Sequence, residues 1–326
     1  MGSDLGEQLE KRIDEFIAAA DKAYGLDTAR LTSEAPNWLA GLPPQYAEEL
    51  SALSLGSRCP LSKIAQWIYL DRFFDGGCSS FILNKGGKTW VGRNNDYIAP
   101  GLWTQVNVLA KTGQIPVMLF GLEGELFSGT GYNRERLWLH YNWLPVWDAP
   151  GPQKNALQPF VFLREALATC SDIAGVERLL AGTVRDGGMN LFILDGKDNS
   201  QAVLECTCQG FRRRGVTGSF ITGANHYCVT ETPQGFDVDS TESRLRQGKM
   251  EALLSELPDA SPSSLINILA DPGVEQNHGL SGTVYANIAC PALDEVWFAC
   301  DSFPAASKST WHRIPWPGPQ ADSEVM

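Results

Sequence analysis

The chain lacks what a membrane-spanning protein needs. No apolar run approaches the ~18–20 residues that cross a bilayer as a helix, so no membrane contact is expected. It also lacks an excess of positive charge. Its 26 Lys and Arg face 38 Asp and Glu, a net charge of −12, which argues against a nucleic-acid partner because such surfaces are basic. The first residues do not follow the basic-then-apolar order of a secretory signal. Gly6 stands where a myristoylation motif after Met1-Gly2 needs Ser or Thr. The expectation is a cytoplasmic protein. Eight cysteines stand at irregular spacings, which without a signal reads as reduced thiols and not a disulfide framework. Cys206 and Cys208 share one strand face, yet no third and fourth ligand follows at a metal-site spacing. No metal and no cofactor is expected.

What is present is concentrated in one stretch. Asp75-Gly76-Gly77 runs into Cys78-Ser79-Ser80-Phe81-Ile82-Leu83, and Gly92-Arg93-Asn94-Asn95-Asp96 follows. Ser79 to Leu83 reads as a strand, Asn84-Lys85-Gly86-Gly87 as a turn, and Lys88 to Gly92 as the returning strand. That hairpin brings Arg93 and Asp96 back beside Cys78. A thiol is a good nucleophile only as thiolate and titrates near ~8.5 when free, while an α-amine titrates near ~7.7–8.0. Cleavage between Gly77 and Cys78 would therefore create a base on the nucleophile's own residue. Glycines suit a scissile bond because they accept strained dihedrals and close approach. In this reading the Arg93 guanidinium favours the thiolate and the Asp96 carboxylate holds the α-amine.

Cys78-Ser79-Ser80, with Gly92-Arg93-Asn94-Asn95-Asp96 after it, resembles the cysteine N-terminal-nucleophile (Ntn) hydrolases of linear amides. These are the choloylglycine (bile salt) hydrolases, acid ceramidase and the acyl-CoA:6-aminopenicillanate acyltransferases. The resemblance covers roughly Gly77 to Ser302. A Cys behind a long leader is most similar to the acyltransferase branch; in bile salt hydrolases the Cys follows the initiator Met. The resemblance implies an α+β fold, a four-layer αββα sandwich, here preceded by a helical pro-segment. It also implies further site residues. Gly131-Tyr132-Asn133 and Leu137 to Asn142 are similar to two successive Asn-bearing segments, the second of which donates to the oxyanion. Asn142 becomes an oxyanion candidate on that basis, the alternative being a turn cap before Leu144-Pro145. Phe220 to Tyr227 looks like the strand whose Asn completes the oxyanion hole, although Gly223-Ala224 separates Thr222 from Asn225. Ser240-Thr241-Glu242-Ser243-Arg244-Leu245-Arg246 matches a helix start that sends an Arg to the site, with Arg244 the first choice and Arg246 the second.

Taken in order, residues 1–77 form the pro-segment. Leu5, Leu9, Ile13, Phe16, Ile17, Ala20 and Tyr24 lie on one helical stripe, and the leader is expected to cover the substrate pocket until cleavage. Gly41-Leu42-Pro43-Pro44 breaks it, Pro44 to Leu53 starts a second helix, and Leu61 to Phe74 forms a third. Residues 78–306 form the catalytic domain. Strands are expected at Gln105 to Ala110, Pro116 to Leu122, Glu125 to Phe127 and Arg136 to Asn142. Helices follow from Ala156 to Cys170 and after the cap Asp172, then a hairpin of Met189 to Leu194 and Gln201 to Cys206. Arg212-Arg213-Arg214 reads as a solvated hairpin tip. A helix to about Leu257, another over Pro262 to Ala270, and a hairpin of Thr283 to Ala289 and Glu295 to Cys300 close the domain. Residues 307–326 read as a tail that docks loosely or is disordered.

The expected reaction is attack of Cys78 on a small-molecule amide or acyl-thioester, with water or an amine as acceptor. The acyl group and the substrate-binding residues are not legible, and oligomerisation stays open. Trp103, Trp138, Trp143 and Trp147 could line an acyl pocket or belong to the core. Two other readings stay open: an uncleaved relative that binds a ligand or partner without turnover, and a thiol enzyme whose internal Cys78 uses His140 or His226 as base.

Overall fold

The computed structural model describes residues 2–73, 76–149, 156–216, 218–236 and 238–315, with side chains from residue 7 onward. Asp75 and Phe74 lie outside the described residues. The leader forms α1 (Gly2–Tyr24), α2 (Thr28–Gly41), α3 (Pro44–Ser57) and α4 (Leu61–Tyr69), which runs into a 3₁₀ turn at Leu70–Phe73. The first expected helix is therefore two. Gly25 takes φ 67° after α1 ends, and the Asp27 carboxylate accepts from Arg30 N at 2.9 Å to start α2. Tyr24, placed on the apolar stripe, is 52% exposed because the helix ends there.

β1 (Ser79–Lys85) and β2 (Lys88–Ile98) form the expected hairpin, with Ser80 opposite Arg93 and Lys85 opposite Lys88. Its two turn residues, Gly86 and Gly87, sit at φ 63° and 72°, a backbone that side-chain-bearing residues resist. β2 continues past Gly92 to Ile98, so Arg93 and Asp96 stand on a strand, not beyond it. Next come β3 (Gln105–Leu109), β4 (Val117–Gly121), β5 (Thr130–Asn133) and β6 (Leu137–Leu144). The expected strand over Glu125 to Phe127 is a loop. The Glu125 carboxylate accepts from Leu122 N at 2.9 Å and folds that segment back on itself. α5 (Pro159–Thr169) and α6 (Ile173–Ala181) follow; α5 starts at its proline and not at Ala156, and α6 is capped by Asp172 as expected.

The remaining elements are β7 (Gly188–Asp195), β8 (Gln201–Cys206), β9 (Phe211–Arg213), β10 (Phe220–Gly223), α7 (Thr241–Glu256), α8 (Pro262–Leu269), β11 (Ser281–Cys290), β12 (Glu295–Ala299), α9 (Ala305–Lys308) and β13 (His312–Arg313). Two antiparallel sheets result, one ordered β10-β1-β2-β11-β12-β13 and the other β3-β4-β5-β6-β7-β8-β9. They pack face to face: Phe120 of β4 meets Phe298 of β12 at 5.3 Å between ring centres. α5 and α6 cover the outer face of the seven-stranded sheet. α7, α8 and α9 cover the outer face of the six-stranded one, where Phe81, Trp90, Met250, Leu254 and Leu265 form a second apolar cluster. This is the αββα sandwich. The leader is not a separate layer. Its Ile13, Phe16, Leu31, Leu50 and Ile64 belong to the same apolar cluster as Leu119, Leu139 and Phe192 of the sheets.

The described part of the tail, to residue 315, docks on the domain. α9 spans residue 307, and β13 pairs with Trp297 and Phe298 to extend the six-stranded sheet; residues 316–326 lie outside the described part. Arg214 is also not a solvated tip. Its Nη1 donates to Thr222 O at 2.6 Å, under the chain and not out of it. No helix among the described residues is long and apolar enough to cross a membrane.

Candidate active site

Cys78 sits just before β1 and is 4% exposed. The β1–β2 register delivers Arg93 to it: Arg93 Nη2 donates to Cys78 Sγ at 3.3 Å. Three further partners fix Arg93. It donates to Tyr141 O at 2.7 Å and to the Tyr285 hydroxyl at 3.0 Å, and it also donates to the Thr130 hydroxyl. Its guanidinium lies 5.9 Å from the ring centres of both Tyr141 and Tyr285. Burial pushes the Cys78 thiol up, and the Arg93 charge opposes that push. The thiol also points toward Asn95 Oδ1 at 3.8 Å.

Asp96 lies on the other side of the Gly77–Cys78 segment. Thr283 of β11 donates to Oδ1 at 2.6 Å. Oδ2 accepts no hydrogen bond, although it is 3.8 Å from Arg246 Nη1. A Cβ built on Gly77 would stand 3.6 Å from that free oxygen, so the carboxylate faces the bond in question. Burial raises Asp96 to about 7, against the pull of Arg246 and Thr283.

Arg246 closes the cluster. Its Nη1 donates to Gly77 O, Cys78 O and Ser79 Oγ, each at 2.8 Å, and its Nη2 donates to Asn225 Oδ1 at 3.0 Å. This corrects the preference for Arg244, which is exposed and turns its Nε to Ser240 Oγ at 3.0 Å. The reason is helical geometry. Ser243, Arg246, Met250 and Leu254 share the buried face of α7, and Arg244 is turned ~100° from its neighbour Ser243. That spacing was the available signal. Asn225 joins the cluster through Arg246, while its Nδ2 donates to Trp143 O at 2.9 Å and its backbone N to Ser243 Oγ at 2.7 Å.

Asn142 is not brought to the sulfur by any contact. Its Oδ1 accepts from Ser80 Oγ at 2.9 Å and its Nδ2 donates to Gly223 O at 3.0 Å, so its amide ties the two sheets together. Neither histidine touches Cys78. His140 stacks on Phe192 at 4.7 Å and is held neutral far below its usual range by burial. His226 shares a 2.7 Å contact with Ser243 Oγ, and burial pushes it down to about 4. Sequence reasoning missed Thr283, Tyr285, Tyr141 and Thr130, which hold the Asp and the Arg from other strands.

A cavity of about 270 Å³ opens on Cys78. The leader supplies part of its wall through Phe16, Trp67, Asp71 and Arg72, and Trp103 and Trp143 line it too. Trp138 packs instead in the core against Phe120 and Tyr132, and Trp147 packs on Tyr227 and Phe236.

The chain has the Ntn-hydrolase fold. Among solved structures it is similar to an ortholog of N-acylethanolamine-hydrolyzing acid amidase from Caenorhabditis elegans, at 15% identity and TM-score 0.51, over 73% of this chain and all of that one. A variant of the conjugated bile acid hydrolase of Clostridium perfringens matches at 12% identity and TM-score 0.51, over 74% of this chain and 97% of that one. Penicillin V acylase from Agrobacterium tumefaciens matches at 11% identity and TM-score 0.50, over 73% and 86%. No protein-family model and no curated protein matches the chain.

Proposed function

We propose that this chain is a cysteine Ntn enzyme that cuts itself between Gly77 and Cys78, then hydrolyses a linear amide or transfers its acyl group through a thioester on Cys78. One observation carries the reading. A buried thiol directed by Arg93 follows a glycyl carbonyl already bound by Arg246, and a carboxylate oxygen without a partner faces the same bond. The three structural relatives are named as an amidase, a bile acid hydrolase and an acylase, which agrees with that chemistry.

In the uncut chain the Cys78 sulfur attacks the Gly77 carbonyl carbon. Arg246 Nη1 stabilises the oxygen as it gains charge. The C–N bond breaks, the thiol proton ends on the Cys78 nitrogen, and Gly77 is left as a thioester on Sγ. Water hydrolyses that ester and frees the thiol. The new α-ammonium meets Asp96 Oδ2, the open acceptor beside it. In the mature enzyme the α-amine takes the thiol proton and returns it to the leaving amine. Asn225, oriented by Arg246, donates to the substrate oxyanion. Asn142 keeps its structural tie to Ser80 and Gly223. The leader stays bound after cleavage because its apolar face is part of the common core.

The test is the pair Cys78→Ala and wild type, incubated side by side and weighed. The Ala variant should stay full length and inactive. Cleavage of that variant at the same bond would remove self-processing from the account.

A further inference from the structure

We propose that the cavity beside Cys78 receives a short acyl chain ending in a protonated amine, held by the carboxyls of Asp71, Glu125 and Asp186 and by the amide of Gln158. This rests on the reading that Cys78 carries an acyl group. The acyl half is the part that stays on the sulfur until the acceptor arrives, so it occupies the space that opens on the sulfur. At about 270 Å³ that space is just below the ~300–1,000 Å³ usual for ligand sites, which favours a short chain.

The walls carry aromatic rings, Phe16, Trp67, Trp103 and Phe160 among them. Against them stand three acids from three separate parts of the fold. Asp71 comes from the 3₁₀ turn after α4, Glu125 from the β4–β5 loop and Asp186 from the α6–β7 loop. They are within electrostatic reach of each other, since the Asp71 charge pushes up both Glu125 and Asp186. With burial as the main cause, Asp71 and Asp186 rise to about 6 and Glu125 to about 8.

Among the described residues, only one of the three has a basic contact: Arg72 Nη1 donates to Asp186 Oδ2 at 2.8 Å. Asp71 accepts from the Tyr97 hydroxyl at 3.0 Å, and Glu125 from Leu122 N at 2.9 Å. The other charges on the cavity, Arg93 and Asp96, are engaged at the Cys78 end. Asp71 also feels the more distant Arg93 charge, Asp186 has Arg72, and Glu125 has neither; burial favours the protonated acids, and a cation placed among them draws them to the charged form.

Gln158 is the independent sign of a ligand. It is 1% exposed, lines the cavity, and neither Oε1 nor Nε2 has a hydrogen-bond partner. A buried amide left unmatched is destabilising, so its presence calls for a polar group that enters the cavity. It sits beside Asp186, whose backbone N donates to Leu157 O at 3.0 Å. An ammonium brings three N–H donors, which suits a carbonyl oxygen and carboxylates converging from different sides.

Two matched measurements test this. The first compares 6-aminohexanoyl and heptanoyl p-nitroanilides, which differ by an ammonium in place of a methyl. The wild-type enzyme should favour the ammonium substrate in kcat/KM by at least about tenfold near neutral pH, and Asp71→Asn and Glu125→Gln should each cut that ratio by about threefold or more. A ratio of one or less, or a ratio unmoved in both variants, overturns the proposal. The second uses full-length Cys78→Ala and calorimetry with 6-aminohexanamide and heptanamide, so it needs no turnover. Tighter binding of the ammonium compound, weakened in a Gln158→Leu background, supports the proposal; equal or weaker binding overturns it. Absence of turnover together with ammonium-selective binding would count against the catalytic reading of Cys78 and leave this one standing.

Discussion

Two parts of the same cavity differ sharply. At the Cys78 end, Arg93, Asn225 and Arg246 are held by hydrogen bonds to one another, to Cys78 or to fixed backbone, the Thr283 hydroxyl fixes Asp96 Oδ1, and the one open acceptor among them is Asp96 Oδ2. At the far end, among leader and loop residues, the Gln158 amide has no partner among the described residues, and Asp71 and Glu125 have no basic hydrogen-bond partner there. The first end is organised before any substrate arrives, which is how an enzyme stabilises charge without reorganising at the moment of reaction. The second end is organised for something that has to come from outside. Chemistry and recognition are therefore separable in this molecule, and they should fail separately.

The largest break should come at the chemical end. Asp96→Asn removes the acceptor for the α-ammonium, and maturation or turnover should fall by ~10²–10⁴. Asp148→Asn changes a carboxylate that ties down the Thr207–Gln209 turn, accepting from Cys208 N and Gln209 N at 3.0 and 3.1 Å away from Cys78, and should leave the rate near wild type. Equal losses in a maturation assay would take Asp96 out of the site. Next is the pair on α7. Arg246→Ala should slow self-cleavage by ~10²–10³, whereas Arg244→Ala, exposed and bonded to Ser240, should stay within about twofold. A time course of precursor loss by gel separates them, and reversed rankings would restore Arg244.

The smallest effect is on stability and draws on both ends of the cavity. Asp71, Asp186, Asp96 and Glu125 all titrate above the ordinary carboxylate range when folded, at about 6, 6, 7 and 8. The folded chain thus holds protons that the unfolded chain has already released. Their contribution to stability is fully present below about pH 4 and falls as pH rises through about 6 to 8. Melting of Cys78→Ala across that range should show the decline, and Glu125→Gln should flatten its upper part. A melting temperature that climbs from pH 5 to 8 would contradict the burial described for these groups.

What could be read from sequence follows the same division. The Cys78–Arg93–Asp96 hairpin was legible because two adjacent glycines fix its turn, and the turn fixes the register. Helices α5 and α6 were legible from their apolar spacing, and α7 from the Ser and Thr at its start. The choice between Arg244 and Arg246 needed the buried face of α7, which Ser243 and Met250 mark only once the helix phase is known. The layered sandwich came from the family resemblance, since periodicity does not say which sheet packs on which. The acids and Gln158 were not legible. They stand in loops and at a helix start without period, and long-range folding alone brings them to one cavity. The split of the first helix was visible in Gly25-Leu26-Asp27, a stop followed by a cap.

The central claim is that the Gly77–Cys78 bond breaks itself. Intact mass of freshly purified wild-type protein, with N-terminal sequencing of every fragment, tests it most directly. The account predicts two chains that stay together in solution, the larger beginning Cys78-Ser79-Ser80. A single chain that persists through long incubation, with Cys78 still internal, would contradict it.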